Sequence, residues 1–226
     1  MSRPPDGPFE AREWPDKLTA RVTDLEGRIH GFEAESDLAQ HYAFSDLVFL
    51  ASCGELPDEA SSRAFGAALI AISPAPVQRA PTHAATLVQR CGGAPSAVIA
   101  VAATGLAEEI RSILDEGLFA WLEGGAKEPP PIVGRRAESE PSGPNPLNAV
   151  AGTGPWSATL ESFELNRAAA ALAVMFQCGL RSRAQLEAAV VIARLPVACA
   201  EAFAAPRGQI RDYPQRLPDF DYVEVP

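Results

Sequence analysis

The ten residues Pro95-Ser-Ala-Val-Ile-Ala-Val-Ala-Ala-Thr104 constrain this chain more than any other stretch. Alanine favours helix over strand, and proline suits a first helical turn. Yet the apolar side chains cover nearly the whole circumference of that helix. Such a helix is either buried on all sides or part of an interface. The apolar run from Ser96 to Ala107 is too short to span a bilayer, which takes about 20 residues. It therefore needs other helices packed around it.

The rest of the chain supplies them. Ser45 is placed to cap a helix through Asp46, Leu47, Val48, Phe49 and Leu50, with Gly54 as its stop. Leu56-Pro57-Asp58-Glu59 opens the next, with proline in the first turn and acids at its positive end. Phe65, Ala68, Leu69 and Ile72 then recur at helical spacing. Thr82–Cys91 is a third helix, ended by Gly92-Gly93. Ser96–Thr104 is a fourth, and Ala107–Leu122 a further one containing Gly117. Leu165–Cys178 is strongly apolar and stops at Gly179. Arg183–Ala193 is expected to break at Pro196, with a short helix following to Ala205. Two segments, Leu18–Val22 and Arg28–Phe32, alternate around Asp24-Leu25-Glu26-Gly27 and read as a β-hairpin. From Gly124 to Pro155 seven prolines and six glycines replace the helical pattern, so residues 124–158 read as a loop or linker. Four prolines make Pro206–Pro226 an extended tail wrapping over a surface. The expectation is one all-α domain over residues 1–226, with a short N-terminal hairpin.

At 226 residues the chain can bury a core without disulfides or metal. Its net charge of −10 argues against nucleic acid and against an anionic membrane surface. Met1–Glu13 is polar, with no signal-peptide pattern, which points to the cytoplasm. Cys53, Cys91, Cys178 and Cys199 lie too far apart for a metal or redox motif, and read as small buried hydrophobes rather than reactive thiols. His30, His41 and His83 have no metal-ligand spacing. Trp14, Trp121 and Trp156 are too scattered for a stacking platform. The acidic pairs Glu108-Glu109 and Asp115-Glu116 read as a solvated helix surface. There is no glycine-rich phosphate loop and no nucleophile elbow.

Several stretches, in order, carry a resemblance to a known family. They are Thr19-Ala-Arg-Val-Thr-Asp-Leu-Glu-Gly27-Arg-Ile-His-Gly31, Ser45-Asp-Leu-Val-Phe-Leu-Ala-Ser-Cys-Gly54-Glu-Leu-Pro57 and Ala94-Pro-Ser-Ala-Val-Ile-Ala-Val-Ala-Ala-Thr-Gly105-Leu. Later come the helix opened by Leu165-Asn166-Arg167-Ala168 and the segment Ala193-Arg194-Leu-Pro196. Together, across about residues 15–123 and 159–225, they resemble the citrate synthase family, and most of all its shorter citryl-CoA lyase-like branch. The resemblance implies a multi-helical fold with a large lobe and a reduced small lobe, shortened through the middle.

Members of that family make or break a carbon–carbon bond beside a CoA thioester. The chemistry needs a carboxylate base, histidines for the enol and carbonyl oxygens, and arginines for substrate carboxylates. In this chain Gly105-Leu106-Ala107-Glu108-Glu109 stands where the family's first histidine segment belongs. No histidine follows His83. Ala168 stands at the position of the base, Glu201 at that of a later histidine, and Val197 at that of the glycine before it. Each positioned acid or base contributes roughly 10²–10⁴ in rate, so loss of three leaves little of the family reaction.

Arg194 matches a substrate-carboxylate ligand, with a structural ion pair as its other reading. Arg211 and Arg216 compete for a second such role near the tail. Glu161, Glu164 and Glu201 are candidate substitute bases, or else solvated helix positions. No resident cofactor or metal is implied; a CoA thioester is the ligand to consider. The expected function is a non-catalytic subunit or regulator, forming a homodimer or a heteromer with an intact citrate synthase-like relative. The alternatives are an enzyme of altered specificity on a CoA thioester or organic acid, and a sensor that binds without turnover.

Overall fold

A computed structural model describes residues 22–24, 26–124, 127–131, 133–134 and 146–207. The hairpin arm Leu18–Arg21, Trp14, and the tail from residue 208 with Arg211 and Arg216 lie outside the described residues. The chain divides into two compact units, Met1–Glu55 and Leu56–Pro226, where the sequence suggests one domain.

In the first unit the backbone turns twice. Asp24 Oδ1 accepts the backbone N–H groups of Glu26 at 3.0 Å and Arg28 at 2.9 Å, and Thr23 bridges to Ile29. That is the turn expected at 24–27. A second, unexpected turn follows directly. Strands β1 (Arg28–Ile29) and β2 (Phe32–Glu33) pair antiparallel across His30-Gly31. Both turn residues have positive φ, +48° and +87°, which a two-residue hairpin loop of this kind requires. A wide π-type turn, Ala34–Leu38, leads through α1 (Ala39–His41) to α2 (Phe44–Cys53). The cap of α2 is Ala43 rather than Ser45. Asp46 supplies the missing polar partner by reaching back, its Oδ2 accepting the Ala43 N–H at 2.9 Å. Gly54, at φ +84°, ends the helix as expected.

Among the described residues the second unit is built of helices and the loops between them. It begins with α3 (Glu59–Ile72), capped by Asp58, whose Oδ1 accepts the Ser61 N–H at 2.7 Å. Pro57 therefore precedes the cap instead of sitting in the first turn. Next are α4 (Ala80–Arg90) and α5 (Pro95–Ile113). The two helices expected on either side of Gly105 are one. Glycine in a helix interior costs about 1 kcal/mol relative to alanine, but here it makes room for α4. A Cβ at 105 would lie 3.1 Å from the Cα and Cβ of Pro81. The break comes later, in a π-type turn at Leu114–Leu118, where Gly117 takes φ +101° before α6 (Phe119–Leu122).

The proline- and glycine-rich stretch is not uniformly irregular, because α7 (Pro146–Ala151) forms within it. It is followed by α8 (Trp156–Ser162), α9 (Arg167–Cys178) and α10 (Arg183–Ala204). Pro196 does not break α10. Proline removes one backbone hydrogen bond at a cost of about 3 kcal/mol. Its own position is exposed, while Leu186, Val190, Ala198 and Ala202 anchor the helix on both sides of it. A reciprocal cap between Ser182 and Gln185 fixes the start of the helix.

Two packing centres result. Ala169–Phe176 on α9 is buried on every side, against α3 and α8. Around α4, α5 and α10 a cluster of small residues forms the other centre: Ala75, Ala85, Val98, Ala102, Leu106, Ala198 and Ala202. No disulfide joins the four cysteines. Burial pushes the Cys199 thiol up. Cys91, expected to be buried, is exposed at the end of α4.

The Asp58 cap gives a pH signature. Hydrogen bonds from Ser61 hold its carboxyl below the usual carboxylate value. A depressed folded-state pKa contributes stability above the unfolded value and loses it as pH falls through the folded value. Asp58→Ala is thus expected to lower Tm at neutral pH. The gap from wild type should close in acid below the Asp58 pKa, which thermal denaturation across pH 2–7 checks.

Candidate functional site

The helix α5 has two faces of different fate. Val98, Ala102, Leu106, Ile110 and Leu114 recur every four residues and are buried to within 1%. Ala97, Ile99, Ala100 and Thr104 on the other side are exposed, Ile99 by 42%. Among the described residues this side of the apolar segment is left open.

That open face forms one wall of a groove of about 890 Å³. Ala100, Val101, Thr104, Gly105 and Ile113 line it from α5; Ala80, Pro81 and Ala84 line it from α4. Small side chains on both walls keep it wide. Glu108, Glu109 and Ser112 bring the polar atoms. Glu108 pairs with Arg111 one turn on.

Glu109 is the structurally important residue of the groove, and it is not the solvated acid its sequence context suggests. It is 24% exposed. Its Oε1 accepts from Arg79 Nη1 at 2.9 Å, and its Oε2 from Arg194 Nη1 at 2.7 Å. The Arg194 side chain, from the middle of α10, is only 5% exposed. Its Nε donates to the backbone carbonyl of Ile72 at 2.8 Å. This carbonyl belongs to the last turn of α3, where acceptors lack intrahelical partners and a cation meets the negative end of the dipole. Burial pushes the guanidinium of Arg194 below its ordinary value, Glu109 opposes that, and Arg79 adds to it. The buried Thr82 hydroxyl donates to Ala75 O at 3.0 Å and fixes the α3–α4 loop beside Arg79. One carboxylate and two arginines thereby join α3, α4, α5 and α10.

Among the described residues, the others singled out in the sequence do not converge on this groove. Glu161 is exposed on α8 and accepts from Asn148 at 3.4 Å. Glu164 and Glu201 are exposed on separate segments. Ala168 is half-buried in the first turn of α9. Asn166 caps that helix through the Ala169 N–H at 2.9 Å, while its amide donates to Val133 O at 2.8 Å. His30 and His83 are half-buried and His41 exposed. Among the described residues no group of three His, Cys, Asp or Glu side chains is placed to hold a metal ion. No helix there is long and apolar enough to cross a membrane. Sequence reasoning missed Glu109 and Arg79. The available signal was position: Glu109 borders the buried stripe of α5, next to Ile110.

No protein-family model and no curated protein sequence matches the chain. Among solved structures it is similar to citryl-CoA lyase from Hydrogenobacter thermophilus, with a TM-score of 0.62 and 17% identity. The match covers 93% of this chain and 96% of that one, and so gives no sign of a lost middle segment. The fold is all-α and citrate synthase-like.

Removing one member of a buried ion pair leaves the other uncompensated, at a cost of about 3–5 kcal/mol. Because Glu109 keeps Arg79, Arg194→Ala is expected near the lower end, about 3 kcal/mol. Arg194→Lys should fall between that variant and wild type, since one ammonium does not reproduce the forked geometry. Urea denaturation of the three proteins measures both.

Proposed function

We propose that this chain is a non-catalytic assembly subunit built on the citrate synthase-like fold, and that it self-associates through the open face of α5. The observation that carries the reading is the fate of Arg194. The arginine that resembles a substrate-carboxylate ligand has its Nε and Nη1 donors committed within the fold, to Ile72 and Glu109. Ala168 brings no base to the start of α9, and no histidine follows His83.

The occupant of the groove is a second copy. The resemblance to a family whose dimers are built on packed apolar helices favours it. So does charge: Glu108 and Glu109 are already paired with arginines of the same chain. The groove therefore brings little unpaired charge to a self-contact, even though the chain carries −10. Small residues such as Ala84 and Ala100 let a helix approach closely.

Sedimentation of the purified protein, with citryl-CoA cleavage assayed on the same sample, tests both halves. A dimer that becomes monomer in Ala100→Arg, with no CoA ester cleaved, is the expected outcome. A monomer that copurifies with an intact relative in equal amount would make the assembly a heteromer. A monomer that cleaves a CoA ester would replace the reading with that of an enzyme of altered specificity.

A further inference from the structure

The assembly reading does not account for how Glu109 divides its two oxygens. Oε1 faces one guanidinium at 2.9 Å and Oε2 another at 2.7 Å. Such bridging is how two arginines hold a carboxylate that arrives on a ligand. We infer that Glu109 is a built-in occupant of an anion site: it supplies from α5 the carboxylate that a small monocarboxylic acid would otherwise bring to the Arg79–Arg194 pair.

Three features support this. The charge is unbalanced, two cations to one anion, so the pair without Glu109 is a strongly positive centre. Arg194 has little water to turn to, with its side chain 5% exposed, whereas Arg79 is 44% exposed and keeps the centre in contact with solvent. Burial and Arg79 both act against the charged form of Arg194, and the Glu109 carboxylate offsets them. Access is also present. Glu109 lines the open groove and Arg79 beside it is half-exposed, so truncating Glu109 opens the Arg79 side of the pair to solvent. In the native chain the site is closed to external acids because the tethered carboxylate is present at a far higher effective concentration.

This goes beyond the assembly reading; because a second copy in the groove covers the same approach, the titrations are made at protein concentrations where sedimentation shows monomer, so that failure of either reading is seen separately.

The test uses Glu109→Ala in the full chain, with formate as the probe. Thermal stability of the variant should rise saturably with sodium formate, but not with formamide or with sodium chloride at equal ionic strength. Wild type should bind formate at least about tenfold more weakly, as titration calorimetry reads directly. Adding Arg79→Ala to the variant should weaken the response. The inference is overturned if formate and chloride act alike on Glu109→Ala, or if wild type binds formate as tightly. Should the variant be insoluble in chloride, recovery of folded protein in formate supports the site, and failure in both salts sinks it.

Discussion

A guanidinium removed from water is the constraint around which the larger unit is arranged. Placing an ion of that size in a protein interior costs several kcal/mol even after relaxation, and only well-placed partners repay it. Arg194 obtains them from two directions, a carboxylate on α5 and a carbonyl at the end of α3. Neither can move far without exposing a desolvated charge. The helix ends are therefore held in register by a polar requirement that apolar packing alone does not impose. A core of alanines slides easily, since Ala85, Ala102, Ala198 and Ala202 present nearly interchangeable surfaces. The ion pair adds directional contacts that those small apolar surfaces lack.

The groove follows from the same arrangement. With Val98, Ala102, Leu106 and Ile110 turned inward, Ala100, Val101 and Thr104 turn outward on the same helix. The clamp then fixes the distance of α4 from that outer face. Gly105 permits the close contact with Pro81, and neighbouring alanines leave the cleft open.

Much of this was legible in the sequence because helix signals are local. Gly54, Gly92 and Gly179 end helices as expected, and the apolar period of α3 holds. The errors share one cause. Gly105 and Pro196 carry real local penalties, but the neighbours that outweigh them, such as Pro81, are distant in sequence. The cap of α2 moved from Ser45 to Ala43 because Asp46 reached back, a reciprocal bond that a residue-by-residue preference overlooks. Glu109 was the largest omission. Its partners lie 30 and 85 residues away, so adjacent acids on a helix gave no hint of burial. Arg194 was found from its resemblance, but its partners in α3 and α5 were not.

The polar clamp also bears on how structural likeness relates to chemistry in this chain. What holds the larger unit together is an alanine-rich stripe, a buried apolar helix and one arginine–carboxylate bridge. None of these is a general acid, a base or an electrophile poised over a substrate. A fold sustained by such contacts takes its shape independently of catalytic side chains. Once Glu109 neutralises part of the arginine charge, the bridge becomes part of the core. Binding an external carboxylate there then requires opening a contact on which α3, α5 and α10 all depend.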